Sequence, residues 1–148
     1  MTETHITDIA RVIQLAIAPV FLLTGLGAML SVMATRLSRV IDRARHLEER
    51  WQQFDVATRA NATRELGVLA KRARLASWAI NFCTSAALLV CAVIATLFID
   101  VFVGTNLKWL AGTLFIAAMF ALIGGLISFL REVYIATHTL RIGPPAEM

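Results

Sequence analysis

Charge is what most of this sequence lacks. Of its 148 residues, 16% are charged and 58% are hydrophobic, whereas a soluble domain carries about 25% charged and about 45–50% apolar residues. The deficit is concentrated rather than spread: residues 12–34, 75–99 and 109–130 contain no Asp, Glu, Lys or Arg. Each run exceeds the roughly 18 residues that mark a membrane-spanning helix and can cross about 30 Å of hydrocarbon. The mean hydropathy of +0.72 has the same origin. The composition excludes a soluble globular domain.

Cysteine and histidine are also scarce. The two cysteines, Cys83 and Cys91, both lie in the second apolar run. A rigid helix holds residues eight apart about 12 Å from one another, beyond disulfide reach. They read as small buried hydrophobes, and no redox compartment follows from them. His5, His46 and His138 fall in three separate regions, and none is spaced with a second ligand as a metal site requires. A phosphate-binding glycine loop, a nucleophile elbow and paired catalytic carboxylates are all missing. The sequence therefore predicts no catalytic, cofactor-binding or metal-ligating residue, and no enzyme. The leading MTETHITDIA lacks the basic start of a signal peptide, so the first run is expected to be a helix that stays.

What is present is a basic segment between the first two runs. Residues 35–74 hold ten Arg or Lys, against Asp42, Glu48, Glu49, Asp55 and Glu65. Basic residues stay on the cytoplasmic side of a membrane helix. The expected orientation is N-terminus outside, basic segment inside, the GTNLK turn outside and the tail with Arg131 and Arg141 inside. The net charge of +4 and pI near 9.8 are then a topology signal. Nucleic-acid binding is the weaker reading, because the excess lies next to the membrane ends.

The basic segment continues the apolar one without a breaker after Gly27. Leu37, Val40, Ala44, Leu47, Trp51 and Phe54 alternate steps of three and four, the rhythm of a helical seam. Ala62, Leu66, Leu69, Ala73, Ala76 and Ile80 repeat it on the return. Folding the two arms about DVAT (55–58) sets Val40 against Ala73, Ala44 against Leu69 and Leu47 against Leu66, with Arg50 in reach of Glu65. Two amphipathic helices lying on the membrane are the alternative, but an interfacial helix needs a broader apolar face. The predicted fold is an all-α membrane protein with three transmembrane helices, the first two extended into a cytoplasmic antiparallel helical hairpin. The expected segments are about 12–34, a hairpin over 35–77, about 78–103, about 109–130 and a cytoplasmic tail over 131–148.

Within the membrane, small residues recur four apart. They are Ala79, Cys83, Ala87, Cys91 and Ala95 on the second helix, Ala117, Ala121 and Gly125 on the third, and Gly27, Ser31 and Thr35 on the first. Such rows permit close helix approach, within one chain or between the chains of a homo-oligomer. Thr24, Ser31, Thr84, Ser85 and Thr96 are candidates for a polar path, although hydroxyls in membrane helices more often bond to their own backbone. Arg36, Arg39, Arg74 and Arg131 converge on the headgroup layer, where anionic lipid would contact them. Asp100 is expected to act structurally at the outer interface, near Arg11 and Lys108, and Pro19 to bend the first helix.

The stretch PVFLLTGLGAML followed by TRLSRVIDRARHLEER resembles the DUF2721 family of small bacterial membrane proteins. The resemblance rests on Pro19 to Arg45, above all Arg36, Arg39, Asp42, Arg43 and Arg45. It implies a bacterial inner membrane and no known catalysis, and it gives no residue roles to transfer. The functional expectation is a non-enzymatic membrane protein, a homo-oligomer acting as an ion pore or transport accessory. The alternative is a scaffold whose hairpin docks a cytoplasmic partner.

Overall fold

A computed structural model describes residues 2–103 and 107–138. Among them there are three helices and no strand: α1 (Thr2–Glu49), α2 (Val56–Val103) and α3 (Lys108–His138). A single tight turn of helix, Trp51–Gln53, separates α1 from α2. All three helices are long and apolar enough to cross a membrane. The first two are longer than crossing requires. Each has 48 residues, about 72 Å of helix against about 30 Å of hydrocarbon.

Burial follows a seven-residue repeat. On α1 the buried positions include Val12, Pro19, Leu26, Met33, Val40 and Leu47. On α2 one row is Ala62, Leu69, Ala76, Cys83 and Val90, and a second is Ala79, Ala86 and Val93. On α3 the row is Ala111, Ala118, Gly125 and Glu132. A heptad held this long keeps one stripe facing the neighbour only if the helices wind gently around each other in a left-handed sense. Pro19 sits in this seam without ending α1.

The α1–α2 contact has two halves. Near the turn, Val40, Leu47 and Leu69 form a cluster with Ala44, Phe54, Leu66 and Ala73 packed against it. Farther along, Leu26 and Met33 meet Ala79 and Cys83, and there α3 joins through Leu122 and Phe129. The chain reverses within residues 50–55, earlier than the DVAT turn expected from sequence. Gln53 N–H donates to the Arg50 carbonyl at 3.0 Å, and Phe54 takes extended backbone angles. Asp55 then stands at the N-cap of α2, its carbonyl accepting the Arg59 N–H at 2.9 Å. Aspartate suits that position.

Where α2 meets α3 the backbones approach closely at Gly125. A Cβ placed there would lie 2.7 Å from Cys83 Sγ and 3.2 Å from the Ala79 carbonyl oxygen. Only hydrogen fits. The end of α2 is tied to the start of α3 by Asp100, whose Oδ1 accepts the Leu107 N–H at 2.8 Å. This carboxylate satisfies one of the donors that the first turn of α3 leaves open.

The rows of small residues predicted from sequence are only partly the rows that pack. Ala79, Cys83 and Gly125 are buried, Ala87 and Ala121 half-buried, and Cys91, Ala95, Ala117 and Gly27 exposed. The reason is geometric. Steps of four residues advance about 400° on a helix of 3.6 per turn, so the row drifts by about 40° each step. By Ala95 it has left the face on which Ala79 began.

Candidate functional site

The heptad on α3 ends on an acid. Ala111, Ala118 and Gly125 are followed at the same spacing by Glu132, whose side chain is 1% exposed. Isolated in an apolar interior, a carboxylate would not remain ionised. Here it is met by cations from both other helices. Arg72 lies on the second heptad row of α2, one step before Ala79. It sends Nη2 and Nε to Glu132 Oε1 at 2.8 Å and 3.1 Å. Arg36 of α1 brings its Nε to 3.5 Å from the other oxygen, Oε2. That contact is an ion pair without hydrogen-bond geometry, and Oε2 has no hydrogen-bond partner. The guanidinium of Arg36 also stands over the Phe129 ring, 5.5 Å from its centre, in cation–π range.

One acid thus ties three helices at one level. Two guanidiniums and one carboxylate leave an excess of positive charge. The two cations are not equivalent. Arg72 is 21% exposed and bonded through two nitrogens, whereas Arg36 is 37% exposed and longer in contact. Charge-assisted bonds of the first kind are strong and directional. The cluster engages its own charges, and what it accomplishes chemically is to hold. A second cross-helix pair lies farther out, where Arg43 Nε donates to Glu65 Oε1 at 2.8 Å. Glu65 therefore takes Arg43 rather than the Arg50 expected from sequence.

Glu132 was not singled out by sequence reasoning. The third uncharged run stops at residue 130, so Arg131 and Glu132 fell into the expected tail, yet α3 continues to His138. The readable signal was the seven-residue spacing of Ala111, Ala118, Gly125 and Glu132. Residues 139–148 of that expected tail, Arg141 among them, lie outside the described residues, as do residues 104–106 of the GTNLK turn.

The other predicted residues are not brought together. Thr24 is exposed and donates to the Val20 carbonyl at 3.3 Å. Ser31, Thr84 and Ser85 are exposed as well. Thr96 is buried and donates to the Ala92 carbonyl at 2.7 Å. The hydroxyls of Thr24 and Thr96 are thus occupied by their own helices. Of the arginines expected at the headgroups, Arg36 is engaged by Glu132, while Arg39, Arg74 and Arg131 are exposed. Among the described residues no three His, Cys, Asp or Glu side chains group closely enough to hold a metal ion.

The sequence profile of a family described as a protein of unknown function, DUF2721, matches residues 16–142. The chain belongs to this family. The matched segment contains all three members of the cluster, Arg36, Arg72 and Glu132. No curated protein and no solved structure matches the chain. The DUF2721 family therefore brings no activity with it, and the functional reading rests on the geometry above.

Proposed function

We propose that this protein is a non-enzymatic, multi-pass protein of the bacterial inner membrane that presents a rigid cytoplasmic docking arm. The arm is the antiparallel hairpin made by the excess length of α1 and α2, with the N-terminus outside and the basic arm inside. What carries the reading is a groove of about 370 Å³ along the arm, floored by Ala44, Leu66, Leu69 and Ala73, with Arg45 and Glu48 on its rim. An apolar groove with a charged rim on a segment too polar for hydrocarbon suits an amphipathic helix of a partner protein. The Arg36–Glu132–Arg72 cluster supports it by fixing the base of the arm to all three membrane helices.

The test uses the full chain in native membranes. A cysteine at the exposed Gln53 should be labelled only after the inner membrane is opened. A photo-crosslinker at Ile41, which is 40% exposed beside the groove, should give one discrete adduct that Ala70→Glu removes. Labelling of Gln53 in intact cells, or crosslinks to lipid alone, would overturn the reading.

A homo-oligomeric ion pore is the second reading. It is favoured by the outward row of Thr24, Gly27, Ser31 and Thr35 on α1, which makes no packing contact within the chain at Gly27. Small and hydroxylic residues facing outward suit contact between copies. Purified protein in liposomes should then pass ions, and Gly27→Leu should abolish passage together with the oligomer. A non-conducting monomer removes this reading and leaves the docking arm.

A further inference from the structure

Two pairs of neighbouring residues divide their charges between two sides of the α2–α3 contact. Arg72 and Glu132 bond to each other inside the bundle. Their sequence neighbours Lys71 and Arg131 are exposed and line the same outward groove, of about 450 Å³. The remaining lining is Leu75, Leu130, Tyr134 and Ile135, with no acid. Two cations therefore share a groove, and Glu132, the sequence neighbour of Arg131, is already held by Arg72. Below them the wall is apolar, with Leu75 and Leu130 at the ends of the uncharged runs 75–99 and 109–130. We propose that this groove is a binding site for one anionic phospholipid, its phosphate between Lys71 and Arg131 and an acyl chain against Leu75 and Leu130.

Charge complementarity selects this occupant. A zwitterionic lipid brings its own cation to the same place and gains less from a doubly positive rim. A soluble phosphate compound leaves the apolar wall uncovered, and lipid satisfies both halves of the groove. Simple attraction of anionic lipid to a basic surface is a different effect, and each exposed cation then counts alike. The site proposed here discriminates among them: Lys71 and Arg131 matter, and the exposed Arg39 and Arg74 do not. The inference rests on the chain crossing a membrane, and not on the docking arm.

Trp78 provides the readout. It lies on the α2 face of Lys71 and Leu75, two turns from the first and one from the second, and is 54% exposed. The full-length protein with Trp51→Phe and Trp109→Phe, leaving Trp78, is placed in phosphatidylcholine bilayers containing brominated phosphatidylglycerol. Quenching of Trp78 should saturate at low mole fraction, showing preference over brominated phosphatidylcholine. Lys71→Ala with Arg131→Ala should weaken that preference roughly twenty-fivefold, about fivefold for each charge removed. Arg39→Ala with Arg74→Ala, an equal loss of charge, should leave it unchanged, and Lys71→Arg should retain it. Equal weakening by both double variants would show generic attraction and overturn the site. Displacement of the brominated lipid by millimolar inorganic phosphate would assign the groove to a soluble anion and overturn the lipid.

Discussion

At the scale of single residues the molecule is governed by an asymmetry between two arginines. Arg72 and Glu132 form a pair removed from water on the acid's side, and deleting one partner strands the other. Glu132→Gln or Arg72→Met should therefore cost about 3–5 kcal/mol. Arg36→Met should cost less, about 1–3 kcal/mol, since its contact with the buried Oε2 is longer and its guanidinium more exposed. Removing both buried partners, as Arg72→Met with Glu132→Leu, should recover most of the loss, which a double-mutant cycle in mild detergent can measure. Equal costs for the two arginines would contradict the geometry. A second residue-scale test is at Gly125. Gly125→Ala places a methyl against Cys83 Sγ and should destabilise by about 1–3 kcal/mol, with partial rescue by Cys83→Ala. Gly27→Ala, open on its side, should be neutral or slightly stabilising within the chain.

At the scale of elements, what was legible in the sequence was what periodicity encodes. The helices of α1 and α2 follow from uncharged runs that pass without a breaker into heptad-spaced arms, and Val40, Leu47, Ala62, Leu69 and Ala76 are buried. The illegible part arose where two periods compete. A row spaced by four looks continuous in a short window, but Cys91 and Ala95 rotate off the face that holds Ala79 and Cys83. The seven-residue row on α3 was hidden because charge was used to end the element, and Glu132 is both charged and buried. A carboxylate can continue a buried row only when a partner from elsewhere neutralises it. That partner, Arg72, stands 60 positions away and is invisible to local reasoning. Asp100 shows the same limit on a smaller scale, since its bond is to the Leu107 backbone and not to Arg11 or Lys108. Asp100→Ala should cost about 1 kcal/mol and speed amide exchange in the first turn of α3, leaving the far end protected.

At the scale of the whole molecule, the apolar runs and the heptad-spaced basic segments share the same two rods. Neither α1 nor α2 is interrupted between them, and the charged cluster sits where the rods leave α3 behind. In the arrangement proposed above, that continuity makes the arm a lever rooted in lipid. A helix longer than the local hydrocarbon accommodates by tilting. For an arm of about 28 Å between residue 34 and the turn, a tilt of about 10° swings its tip sideways by about 5 Å. Membrane thickness is thereby written into the position of Trp51–Gln53, with the cluster as the collar that forces bundle and arm to move as one. Oriented-sample spectroscopy of a label at Gln53 should show the tip following the tilt of α2 between thin and thick bilayers. With Glu132→Gln the collar loosens, and the tip should lose that correlation while the membrane helices still respond.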